Sequence, residues 1–391
     1  MKKINLVYAQ ALLAALVLFP LCSFAYPDFI GYGYASCLTC HTNGLGGGAI
    51  NDYGRGVWAA EIASRALYPK KKSLEEISQM SGFLGDTEKL PWWIRPHFKY
   101  RGIWVQKEPK SAQQTERIVQ MQFDMGASVA LDQDQKYLLS ITYGYVPTAE
   151  TMRSGSVNNI LAREYFARVQ LSDNLWTYFG KLEKVFGIRN IDHTSYTRSP
   201  QELGQNTQSV GGIAHWVDEN YEIALNIFTG DPAAKEPKHE QKGVSLLTEY
   251  SFMPNSRAGF SFLNSNSEAE KNIQIAAVHW RQALSKGSSI MFEYGFLKKR
   301  EASSNTVNGS YTFAQTSLLL TKGYSLLLNL ERYNANQGAH TPEKWRMGVG
   351  FLTFPINRVE FRAAAVHERQ VSSEAASQDS WMLQGQLHVS L

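Results

Sequence analysis

The chain has 391 residues, 43% hydrophobic and 19% charged, with 39 Lys and Arg against 35 Asp and Glu for a formal net charge of +4. That surplus, reduced to +2 if a leader carrying Lys2 and Lys3 is removed, is too small to point to nucleic acid or a strongly anionic partner. Beyond the first 25 residues there is no run of eighteen apolar residues, which excludes a helical membrane protein.

Residues 1–25 have the three parts of a signal peptide. Lys2 and Lys3 give the positive start, Ala11 to Phe19 the apolar stretch, and Ser23-Phe24-Ala25 a small-x-small cleavage site before Tyr26. The apolar stretch is short for a membrane anchor, and Pro20 interrupts it. The mature chain then keeps two cysteines, Cys37 and Cys40, in Cys37-Leu38-Thr39-Cys40-His41. This spacing suits a covalently attached haem c, with thioethers at both cysteines and His41 as the proximal iron ligand. A disulfide would need only the two cysteines and leave His41 without a role. A zinc site would need a second cysteine pair, which the chain lacks.

Residues 26–95 read as a small helical unit around that motif. The glycines of Gly44-Leu45-Gly46-Gly47-Gly48 let backbone fold close to a haem. Asn51 can cap a helix running to about Leu67, with Trp58 and Ile62 on one face. Ser73 and Glu76 have capping-box spacing for a second helix that Gly82 would end. Seventy residues make a small core, so covalent haem would supply part of its apolar surface.

Residues 96–391 change to period two. Val119, Met121, Phe123 and Met125 alternate with Gln120, Gln122, Asp124 and Gly126, one face for lipid and the other for water. Sixteen such segments begin near residues 97, 117, 136, 160, 174, 207, 220, 242, 256, 272, 288, 310, 324, 344, 358 and 380. Short turns such as Pro254-Asn255, Lys322-Gly323 and Pro355-Ile356-Asn357 alternate with longer polar loops. The pattern predicts a mainly β fold, a transmembrane antiparallel barrel in the outer membrane with both chain ends in the periplasm. Aromatic residues cluster near strand ends, among them Tyr143, Trp176, Tyr178, Trp216, Tyr221 and Trp381, and some of them are expected to form girdles at the lipid interfaces, though each taken singly could be an ordinary sheet residue.

A signal peptide, one CxxCH motif and a sixteen-strand barrel together resemble the fused monohaem cytochrome–porins of bacterial outer membranes, whose best known members are iron(II) oxidases. In motif the resemblance covers Cys37, Cys40 and His41. Tyr32-Gly33-Tyr34 and the stretch from Gly46 to Arg55 differ from the iron oxidases, which leaves the donor open. The resemblance implies a haem in or at the pore and electron passage between an extracellular redox partner and periplasmic carriers such as soluble cytochromes. As an enzyme, such a protein would be an oxidoreductase of extracellular metal such as Fe(II).

One haem resting at a membrane face would leave most of a 25 Å apolar band uncrossed, so conduction requires the N-terminal unit to plug the lumen. Met80, behind the second helix, and His97, on the first strand beside Lys99 and Arg101, are rival candidates for the distal iron position. Charged lumen residues of both signs, such as Arg101, Asp124, Glu164, Arg168, Glu249 and Arg362, are expected to line a solvated interior or to pair with the plug. The connection from Glu183 to Asn206 is the longest, and the resemblance suggests that it bends into the pore. There Arg189, Asp192, His193, Tyr196 and Arg198 could meet a donor or bind iron. The alternative to electron transfer is a solute-diffusion porin whose haem unit is a plug, redox gate or sensor. A third reading makes the cytochrome a periplasmic docking module beside an ordinary channel.

Overall fold

The structure, a computed structural model, describes residues 29–46, 48–65, 72–83, 85–86, 89–109, 115–145, 160–190, 192, 194–204, 207–231, 241–267, 272–300, 306–338, 343–371 and 377–391. The expected signal peptide, Gly47, Leu67 and His193 lie outside the described residues.

From Ile94 onward the chain winds into one closed antiparallel sheet. Its first quarter is β1 (Ile94–Pro109), β2 (Thr115–Ala130), β3 (Tyr137–Tyr145) and β4 (Ile160–Ser172). Next come β5 (Leu175–Leu182), β6 (Ser209–Val217), β7 (Tyr221–Gly230) and β8 (Lys242–Met253). Then follow β9 (Ser256–Asn266), β10 (Asn272–Ser285), β11 (Ser288–Arg300) and β12 (Thr306–Thr321). The ring ends with β13 (Tyr324–Asn334), β14 (Glu343–Ile356), β15 (Val359–Val371) and β16 (Gln378–Ser390). Every strand pairs with its sequence neighbours, and β1 pairs with β16 to close the ring, with Arg101 opposite His388. All sixteen strands begin within four residues of their expected starts. Connections at one end span two to six residues and those at the other five to 26, the expected asymmetry.

Period two produces the two faces. On β2 and β3, Phe123, Met125, Ile141 and Tyr143 point out and are exposed, while Asp124, Ser128, Ser140 and Thr142 point in and are buried. Two expectations need correction. Tyr178, expected at the lipid interface, faces the lumen and is fully buried. The inner face is also not uniformly polar. Leu327, Leu352 and Phe354 form an apolar patch with Trp58, Ile62 and Ala63, and Leu263, Ile275 and Leu297 form another with Phe186 and Leu203. Those patches face polypeptide rather than water, because the lumen is occupied.

The first occupant is the N-terminal segment. Asn51 caps α1 (Asp52–Val57) by accepting from the Gly54 amide at 2.8 Å. The helix stops well before Leu67. A wider turn over Trp58–Ile62 follows, and Ala63 donates back to the Trp58 carbonyl at 2.8 Å. The Ser64 amide then bonds the Phe354 carbonyl of β14 at 2.8 Å, so pairing with the barrel wall replaces the next helical turn. Trp58 stacks edge-on against Phe354 at 5.9 Å, a contact worth about 1 kcal/mol beyond the area it buries. The second helix, α2 (Leu74–Gln79), has the expected capping box between Ser73 and Glu76. It ends at Met80 rather than Gly82, and Arg358 binds the carbonyls of Ser81, Gly82 and Phe83 beyond its end.

The second occupant is the long connection between β5 and β6. Wall carboxylates capture its backbone: Glu293 accepts from the Ile188 amide at 2.6 Å, and Glu331 from the Tyr196 amide at 2.6 Å and the Ser195 hydroxyl at 2.8 Å. These bonds satisfy donors that an inward-folded loop would otherwise bury without partners. The expectation that this connection enters the pore holds.

Candidate cofactor site in the lumen

Cys37–Thr39 forms one tight helical turn, with the His41 amide donating to the Cys37 carbonyl at 3.0 Å. The glycine-rich stretch doubles the chain back. Thr42 bonds the Ala49 carbonyl, the Asn51 amide bonds the Cys40 carbonyl at 2.9 Å, and His41 bridges to Ile50. Gly46 takes the left-handed backbone conformation (φ +87°), and a Cβ there would lie 3.1 Å from the Cys37 sulfur. A Cβ on Gly54 would meet the Cys40 carbonyl oxygen at 2.6 Å, so α1 can pack on the motif only because that residue is glycine.

Four strands hold this loop by its backbone, β1 among them through Lys99 and the Gly48 carbonyl. Arg281 of β10 donates to the Ala35 carbonyl at 3.0 Å, Arg168 of β4 to the Thr42 carbonyl at 3.0 Å, and Gly44 donates to the Tyr178 hydroxyl of β5 at 3.2 Å. Arg281 is itself fixed by Glu249 of β8, which also meets His279 at 3.2 Å. On the neighbouring strands Glu222 bridges His215 at 3.0 Å and Arg257 at 2.9 Å. This chain of buried ion pairs runs over five adjacent strands directly behind Cys37. Sequence reasoning placed Arg168 and Glu249 in the lumen but did not join them to the motif, which lies more than 100 residues away along the chain.

Cys37 and Cys40 are not joined in a disulfide. Burial pushes the Cys37 thiol up to about 11, with the negative field of Glu222 adding to it, and burial pushes Cys40 up to about 12. Burial thus favours the neutral thiol over the thiolate at both positions. Among the described residues no group of three or more His, Cys, Asp or Glu side chains is arranged to hold a metal ion.

Cys37, Cys40 and His41 all face one lumen cavity of about 1690 Å³, part of it open to solvent. One side is apolar, built from Phe29, Val57, Trp58, Ile62, Leu352 and Phe354. The other is charged and includes Arg163 paired with Asp124 at 2.6 Å and Arg189 paired with Glu183 at 2.6 Å. His97 borders the same cavity. It is buried against the wall, its Nε2 bonded to the Thr142 hydroxyl at 2.9 Å and its Nδ1 without a hydrogen-bond partner. Met80 is not among the lining residues; it is 42% exposed and contacts the Lys72 ammonium. The structure therefore brings together Cys37, Cys40, His41 and His97, and sets Met80 apart. An amphipathic cavity, thiols and an imidazole on one turn, glycines at the contact points and an unsatisfied imidazole nitrogen all fit a haem.

Arg189 and Arg198 border the cavity. Tyr196 lies under the Arg346 guanidinium at 4.7 Å, and Asp192 accepts from the Thr194 amide and hydroxyl.

A sixteen-strand closed barrel with short turns at one end and a long connection folded into the pore has the fold of the outer-membrane porins. The solved structures it resembles agree. OprB of Pseudomonas putida matches with a TM-score of 0.59 at 9% identity, over 78% of this chain and 96% of that one. An anion-selective porin from Comamonas acidovorans matches at 0.57 and 7% identity, over 76% and 99%. The outer-membrane channel DcaP of Acinetobacter baumannii matches at 0.55 and 9% identity, over 76% and 97%. The quarter of this chain left uncovered is about the size of the segment ahead of β1. No family model and no curated protein matches the sequence.

Proposed function

We propose that the protein carries one haem c at Cys37, Cys40 and His41 inside the lumen. In this reading it passes electrons across the outer membrane between an extracellular redox partner, iron among the candidates, and periplasmic carriers such as soluble cytochromes. The observation that carries this reading is that the motif faces a cavity within the barrel rather than the solvent beyond its end. When bound, the haem iron supplies a one-electron carrier at that position. The chain's own residues do the rest. Arg281, Arg168 and Tyr178 fix the attachment loop, and His97 offers an imidazole to the same cavity. The apolar flank of Trp58, Leu352 and Phe354 would limit water around a bound haem.

The porin-type fold favours a second reading, in which solutes cross and the haem-bearing segment acts as plug or redox gate. Proteoliposomes separate the two. Under the first, an enclosed electron carrier is oxidised or reduced by an impermeant external partner, and Cys40→Ala abolishes this while the barrel still assembles. Solute flux without such electron transfer would replace the first reading by the second.

A further inference from the structure

Cys37 lies toward one side of the barrel. It borders a second, smaller space together with Glu222, Glu249 and Arg281, which belong to β7, β8 and β10. In a ring of sixteen strands the wall opposite β8 is β16, flanked by β15 and β1. The main cavity reaches that opposite wall at Arg101, Glu360, Arg362 and His388. A haem c held by its vinyl-derived thioethers carries its two propionates on the far edge of the ring. With the thioether edge on the Cys37 side, that far edge would face β15, β16 and β1.

The charge of the cavity fits such a ligand. Six Lys or Arg side chains and four Asp or Glu side chains border it, a surplus of two positive charges. Two ionised propionates carry two negative charges, and a buried carboxylate is tolerated only when a cation faces it. Arginine suits the task because its planar fork binds a carboxylate through two donors. Glu360 holds Arg362 at 3.4 Å and is held in turn by His388 at 3.3 Å, which keeps this wall ordered. Arg189 is the less suitable cation, because its Cδ packs within 3.0 Å of the position a Gly46 Cβ would take, on the Cys37 side. We propose that Arg101 of β1 and Arg362 of β15 bind the haem propionates, an inference that rests on the haem reading given above.

The test uses full-length holoprotein from outer membranes, with Arg101→Gln, Arg362→Gln and, as comparator, Arg332→Gln, whose partner Glu343 is 2.6 Å away near the long-loop end. Resonance Raman spectra report propionate bending separately from iron-ligand and core-size bands. Both cavity variants are expected to shift the propionate bands and lower the reduction potential, because a cation favours the ferrous state. Their iron-ligand bands should stay in place, and Arg332→Gln should match wild type. Arg101→Lys and Arg362→Lys, which keep the charge, should restore the potential while leaving the propionate bands shifted. These lysine variants decide the matter by the same bands if the glutamine variants do not assemble. Haem present with unmoved propionate bands in both positions would overturn the assignment alone. A wild-type protein without covalent haem would overturn the haem reading and the assignment together.

Discussion

The Gly44 amide donates to the Tyr178 hydroxyl across 3.2 Å, joining the glycine-rich arm of the CxxCH loop to a strand 134 residues further on. Both partners are buried, so the bond orients the loop rather than decorating it. Tyr178→Phe leaves the Gly44 amide without its acceptor at a cost of about 1 to 3 kcal/mol. The expected result is faster hydrogen exchange over residues 42–46 with an intact barrel. Gly44→Val should do more, since even a Cβ would lie 3.0 Å from Leu38 Cδ1 and 3.1 Å from His215 Nδ1. Protection in this segment equal to wild type in both variants would show that the loop is held elsewhere.

His97 and Met80 separate cleanly by experiment. His97 is buried on the cavity wall, whereas Met80 is largely exposed and outside it. If the wall imidazole completes the iron coordination, His97→Ala should convert a low-spin ferric spectrum to high spin, and Met80→Ala should leave it unchanged. The reverse pattern would move the sixth ligand to α2. A low-spin spectrum in both variants would exclude both side chains.

The barrel was legible because its signals are local. Period-two alternation and turn residues act over a few positions, and they placed β8 through β11 at their observed starts. The CxxCH motif and the caps at Asn51 and Ser73 are equally local, and the caps formed as read. The helix after Asn51 was misjudged because its end is set by Phe354, nearly 300 residues away, which captures the Ser64 amide. Tyr178 was misplaced for a related reason. Aromatic residues near strand ends look alike from sequence, and only the strand's pairing fixes which face each one takes. Which lumen residues touch the motif depends on how the plug docks, and no pattern along the chain carries that information.

The loop between β5 and β6 offers a further check. Glu331 accepts from both the Tyr196 amide and the Ser195 hydroxyl, and it is buried with Arg346 3.7 Å away. Glu331→Ala leaves the Tyr196 amide and the Ser195 hydroxyl short of their acceptor, a loss of about 2 to 4 kcal/mol locally, while Arg346 keeps Glu368 at 2.9 Å. The loop should then become sensitive to externally added protease near residues 194–200 while β13 and β14 keep their pairing. Glu331→Gln, which retains an acceptor, should be intermediate. Resistance equal to wild type in the alanine variant would mean that the apolar contacts of Phe186 and Leu203 suffice to hold it.

The plug itself makes the last prediction. Its backbone and side chains reach β1, β4, β5, β10 and β14 and the turns carrying Lys286, Lys322 and Arg358. The ring, by contrast, closes through strand-to-strand ladders alone. Removing residues 29–90 while keeping residues 1–28 and everything from Pro91 should therefore leave a barrel that assembles and migrates anomalously when unheated. Its apolar inner patch at Leu327, Leu352 and Phe354 would become wetted, a cost of a few kcal/mol at about 25 cal/mol per Å². The ladder of sixteen pairings should tolerate that cost. Single-channel conductance in planar bilayers should rise from a small value to that of an open porin-type pore, because the largest occupant of the lumen has gone. Equal conductance with and without the segment would mean that ions already pass beside it. The N-terminal unit would then not seal the lumen.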